Sequence, residues 1–196
     1  MWLMGSNMAR FRTFTFAGLM LVLSWYGMMA VHELGHVVGA MSTGGTLQRV
    51  VLHPMSISRT DVSPNPHPAW VVWLGPVLGC LMPLAVTCFT SGCETTIRKS
   101  AQFFAGFCLI ANGAYIAIGS FDQVGDCGEM LRTGAPQAIL IAFGAITIPL
   151  GFALWHKLGS PSQLWKNPTV VTTQMLRLSI IAVIVATIAG ATLSSR

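Results

Sequence analysis

Five stretches of this chain are almost free of charge and long enough to cross a lipid bilayer: residues 14–40, 69–90, 100–120, 136–155 and 175–193. A bilayer core takes about 20 apolar residues in helical form. Inside it, only helices and closed barrels satisfy every backbone polar group. Runs this long suit helices, so the chain reads as an all-α integral membrane protein with about five transmembrane helices. Charged residues make up 9% of the sequence and hydrophobic ones 53%, whereas a soluble domain carries about a quarter charged. The 196 residues hold five spans with short connections and leave no room for a folded soluble domain beside them. Residues 1–196 therefore read as a single domain. The first apolar run is too long for a cleavable signal peptide and reads as a retained span.

The connections carry their own signals. Arg10 and Arg12 form a short flank before the first span, and Thr43, Gly44 and Gly45 break that helix. Residues 46–59 look extended: Met55 and Ile57 alternate with Ser56 and Ser58, a period of two that predicts a short strand or β-hairpin. Residues 63–68, Ser-Pro-Asn-Pro-His-Pro, suit neither a helix nor a strand ladder. Gly35 with Gly39, and Gly75 with Gly79, form small-xxx-small pairs that let helices approach closely. Pro76 predicts a kink. Residues 121–135 form a short polar segment, and a second one carries Lys157, Pro161, Lys166 and Pro168.

The net charge of +5 comes from scattered basic residues. With no basic helix and no aromatic stacking platform, nucleic acid is excluded as a partner. Scattered basic residues instead suit the positive-inside bias of membrane loops. The five cysteines, Cys80, Cys88, Cys93, Cys108 and Cys127, are odd in number and form no CxxC, which argues against a disulfide framework.

The chemistry concentrates at the end of the first span, in His32-Glu33-Leu34-Gly35-His36. Helical positions four apart share a face, so two imidazoles at this spacing can bind one zinc ion. Glu33 beside them can take a proton from a zinc-bound water. Chance composition would produce such a match only about 0.004 times in a chain like this. His32 lies roughly 27 Å along the helix from Phe14, toward the far side of the membrane. The bland alternative makes the pair interhelical hydrogen-bonding groups and gives Glu33 a basic partner, but no Lys or Arg lies in the neighbouring spans.

A catalytic zinc needs a third protein ligand and an open position. The candidates are Asp122, Asp126, Glu129, His53 and His67. Asp126 is preferred: it follows a glycine, begins the turn before the fourth span and can reach the motif from a neighbouring helix. Asp122 is the runner-up, and His53 and His67 read as surface or turn histidines. Asn112, inside an apolar span, has two readings. One is an interhelical hydrogen bond; the other is a catalytic donor to the substrate carbonyl or developing oxyanion.

These residues resemble the site-2 protease family of intramembrane zinc metalloproteases. His32-Glu33-Leu34-Gly35-His36 matches its HExxH, Gly75-Pro76 is similar to the Gly-Pro of its next span, and Asn112 followed by Asp126 resembles its later Asn…Asp-Gly motif. The resemblance covers roughly residues 14–150. The chain departs from the family in lacking a proline shortly after the Asn, in a longer Asn-to-Asp interval, and in placing Cys127 between Asp126 and Gly128. The resemblance implies a core of transmembrane helices around a buried zinc site, with one Zn²⁺ per chain and Asp126 as third ligand. It also implies metalloendopeptidase activity on transmembrane or membrane-adjacent segments of other membrane proteins, in the cell membrane. An exposed strand edge in residues 46–59 would let such a segment dock as an added strand. Two other classes remain: a zinc transporter or sensor, and an inactive relative.

Orientation has two answers. With the N-terminus inside, seven basic residues face inward and four outward, which the positive-inside rule favours. The resemblance implies a site nearer the cytosol, and so an outside N-terminus.

Overall fold

A computed structural model describes residues 2–53, 58–93, 95–159 and 171–194. Met55, Ser56, Ile57, Glu94, Pro161, Lys166 and Pro168 lie outside the described residues. The described chain forms α1 (Trp2–Ser42), β1 (Leu47–Val51), β2 (Arg59–Val62), α2 (Pro68–Phe89), α3 (Thr95–Asp122), α4 (Asp126–Arg132), α5 (Gln137–Lys157) and α6 (Thr173–Ser194). Five of these helices, α1, α2, α3, α5 and α6, are long and apolar enough to cross a membrane. Their outward faces carry large apolar side chains, among them Trp25, Ile146, Phe152, Ile184 and Ile188. An apolar surface this extensive suits lipid rather than water.

The helices overrun their expected ends. The first starts at Trp2 and runs through Arg10 and Arg12, because charges flanking an apolar run end its burial and not its backbone hydrogen bonding. Pro68 does not stay in the connection: it opens α2, where its missing N–H costs nothing and its fixed φ suits the first turn. Pro76 and Pro83 lie inside α2, which remains one helix. The polar segment after α3 folds into the short helix α4.

The hairpin is two-stranded and antiparallel, with Arg49 opposite Asp61, Val50 opposite Thr60 and Val51 opposite Arg59, and its second strand runs past the expected 46–59 to Val62. Its base is closed where the Ser63 N–H donates to the Thr46 carbonyl (2.9 Å). The hairpin lies against α1, with β1 also touching α6.

Packing is ordered by small residues. At Gly35 a side chain would run into the Leu74 carbonyl and the Gly75 backbone, and at Gly39 into Val71 and Leu74, so α1 and α2 touch backbone to backbone. Gly79 gives the same clearance to Asn112 of α3. On the far side, Gly106 and Gly113 of α3 admit Trp155 and Thr147 of α5. The apolar core has two centres: Val72, Ile116, Cys127, Met130 and Leu140 in one, and Met28, Met29 and Cys108 in the other. Helix α6 packs on α1, where Tyr26 and Thr187 share a 2.9 Å hydroxyl hydrogen bond.

Candidate metal centre

Helix α1 presents His32 and His36 on one face, with ring centroids 4.9 Å apart. That part of α1 is buried: His32 is 6% exposed, His36 5% and Glu33 2%, and Asn112 of α3 beside them is 1% exposed. Polar groups this buried are costly unless each finds a partner, and each does.

The histidines are held by their inner nitrogens. His32 Nδ1 lies 2.7 Å from Asn112 Oδ1, and His36 Nδ1 lies 2.9 Å from the Val71 carbonyl of α2. Asn112 Nδ2 donates to the Cys108 carbonyl at 2.9 Å, which fixes the amide with its oxygen toward His32. Both partners are therefore pure acceptors, so both Nδ1 atoms carry the proton. Where Nε2 carries no proton, each ring then directs a lone pair outward from it.

Those lone pairs converge on Asp126. Its Oδ2 is 2.7 Å from His32 Nε2 and 3.3 Å from His36 Nε2. One ligand atom from each of the three residues lies within 4.8 Å of the others. Three electron-rich atoms this close require a cation among them, either a proton or a metal ion. Burial alone would raise the Asp126 carboxyl. With protons on the imidazole Nε2 atoms in place of a metal, hydrogen bonds and charge from His32 and His36 outweigh it and hold the carboxyl well below the usual carboxylate range.

Asp126 reaches this position as the first residue of α4, not from a turn. Gly125 before it takes φ +62°, a backbone conformation that a Cβ disfavours. Tyr115 of α3 accepts the Asp126 N–H at 3.1 Å and sets its ring edge-on to His32, centroids 5.9 Å apart. Cys127 points away from the cluster, against the Tyr115 and Ile116 carbonyls.

The remaining candidates lie elsewhere. Asp122 is exposed at the end of α3, and Glu129 pairs with Arg132 at 2.6 Å. Neither His53 nor His67 belongs to the cluster. His67 lines a separate cleft of about 760 Å³ with Pro66, Trp70, Trp73 and Thr133. Asn112 departs from the oxyanion-donor expectation: its oxygen faces His32 and its nitrogen is engaged by Cys108, so it takes the interhelical hydrogen bond. Among the described residues Glu33 has no ion-pair partner; Thr60 Oγ1 donates to its Oε2 at 2.7 Å.

Three contributors were not foreseen from the sequence. The Val71 carbonyl is a backbone group, and no residue type announces it. Thr60 and Tyr115 are side chains whose roles depend on contacts between distant segments. Gly75 was legible as a packing residue, and the structure adds its partner: a Cβ there would collide with the His36 ring.

No protein-family model matches the chain, and neither does any curated protein or solved structure.

Proposed function

We propose that this protein is a zinc-dependent metalloendopeptidase that cleaves membrane-embedded or membrane-adjacent segments of other proteins. The observation that carries the reading is the convergence of two outward Nε2 lone pairs and one carboxylate oxygen beside a buried glutamate. The donor set fits zinc: two imidazoles and a carboxylate are a usual catalytic set that leaves a position open. The acceptors behind both imidazoles are the outer-shell support that metal-binding histidines take.

His32, His36 and Asp126 would hold the ion, which supplies Lewis-acid polarisation of a carbonyl and a more acidic bound water. Asn112 and Val71 orient the two imidazoles. Glu33 accepts the proton of the attacking water and delivers it to the leaving amine. A substrate helix must unwind first, because helical hydrogen bonding hides the scissile carbonyl, so helix-breaking residues in the substrate favour cleavage. Water must also reach the site from one membrane face.

A transporter would need ionisable groups along several spans. Here they gather at one helix end and one short helix, and transport would leave Glu33 idle. The deciding experiment is elemental analysis of detergent-purified protein, wild type beside His32→Ala, Asp122→Ala and Asp126→Ala. About one zinc per chain is expected in wild type and Asp122→Ala, and none in the other two. Folded wild-type protein that takes up no zinc would overturn the reading.

A further inference from the structure

Glu33 sits at the end of a long apolar helix, 2% exposed, with no Lys, Arg or His among its ion pairs in the described residues. Its only side-chain hydrogen bond there comes from outside the helical bundle, from Thr60 Oγ1 on β2 (2.7 Å to Oε2). The same hydroxyl lies 3.5 Å from the Glu33 carbonyl, so it sits over the residue as a whole. Thr60 is itself fixed by the hairpin: it pairs with Val50, and the hairpin base is closed by Thr46 and Ser63. We propose that Thr60 is a positioning residue for Glu33, which makes the β-hairpin the element that aims the base.

The chemistry is simple. A carboxylate has two oxygens, and a base that takes a proton from water needs one of them free and pointed at it. With Oε2 accepting from Thr60, the Glu33 carboxylate is held in one rotation and Oε1 is left to receive the proton. Without that donor the carboxylate loses the hydrogen bond that sets its rotation, and its buried oxygen loses its partner. A hydroxyl is the right donor here. It holds the carboxylate without supplying a charge that would compete with the metal ligands. Because the donor belongs to the hairpin, any peptide laid along the hairpin edge bears directly on the residue that aims the base. This inference rests on the peptidase reading for what Glu33 does, and on the geometry alone for what holds it.

The test uses Thr60→Val and Thr60→Ser in the full-length protein, with two readouts. The first is the infrared carboxylate stretch of Glu33 in metal-free protein, assigned by its disappearance in Glu33→Gln. It should shift in Thr60→Val and return to the wild-type position in Thr60→Ser. The second is cleavage by zinc-loaded protein of a dye-quenched transmembrane peptide with a central Gly-Pro break. Loss of one hydrogen bond to a charged group predicts a kcat about 10- to 100-fold lower in Thr60→Val. KM should stay within about 2-fold, zinc content should be unchanged and Thr60→Ser should recover most of the rate. An unshifted band in Thr60→Val overturns the inference, as does an unchanged kcat. A rise in KM that Thr60→Ser fails to correct also overturns it, because that pattern means a damaged hairpin. If zinc-loaded wild type leaves the peptide intact while the band shifts as expected, the peptidase reading fails and the hydrogen bond stands.

Discussion

Gly75→Ala should disable the proposed metal centre without touching any of its three proposed ligands. A Cβ on Gly75 would overlap the Cε1 and Nε2 atoms of the His36 ring. To restore ordinary carbon contact at about 3.5–4.0 Å, the ring must retreat by roughly an ångström. It cannot do so and keep its 2.9 Å hydrogen bond to the Val71 carbonyl. Losing that bond costs about 1 kcal/mol, and overpacking of this kind costs about 1–3 kcal/mol. Charged against zinc binding, about 2–4 kcal/mol is an affinity loss of about 30- to 700-fold. The assay is competition for zinc against a chromophoric chelator in detergent, with thermal unfolding recorded alongside. Gly18→Ala is the control: nothing lies within 4 Å of its Cβ position, so both properties should match wild type. If Gly75→Ala binds zinc as tightly as wild type, the close approach of α2 does not position His36, and the argument fails.

Four further outcomes follow from the same geometry. Glu33→Gln should keep about one zinc per chain and lose about 10²- to 10⁴-fold in peptide cleavage, the usual weight of a general base; full activity would sink the mechanism. Asn112→Ala should retain zinc but bind it about 10- to 100-fold more weakly, read by the same chelator competition. In folded protein, maleimide should label the exposed Cys88 and Cys93 and spare the buried Cys80, Cys108 and Cys127. Burial and the adjacent Asp126 push the Cys127 thiol up to about 11. Being raised, it stays protonated well above neutral pH, so going from pH 7 to 9 should not expose it to the reagent. A membrane-impermeant maleimide on sealed vesicles then reads which face holds the α2–α3 connection. Labelling from outside on a single-Cys93 variant means that the N-terminus is outside as well, since two spans precede it; labelling only after lysis means the reverse.

The spans were legible because lipid imposes one demand, an uninterrupted apolar run, and the chain meets it five times. Their ends were less so. Arg10 and Arg12 mark where hydrophobicity stops, while α1 continues to Trp2. The histidine spacing survives intact because four residues is a helical interval whatever surrounds it. Asp126 stood out by its glycine and its place before a span, although the helix it opens was not visible. Asn112 was ambiguous because sequence cannot say which end of an amide faces inward; the Cys108 carbonyl decides that. Thr60 was out of reach, since its partner Glu33 lies 27 residues away, across a turn and a strand pairing.

The residues of the centre, with their supporting groups, all fall between His32 and Asp126, whereas α6 begins at Thr173 and joins only α1 and β1 among the larger helical contacts. A ribosome making this chain therefore completes the whole constellation before α6 exists. Helix α6 arrives later and docks on α1, through Thr187 on Tyr26 and Thr173 on Arg12. Order of synthesis thus separates the residues of the centre from the docking of α6, and a nascent chain released before α6 would already contain His32, His36 and Asp126.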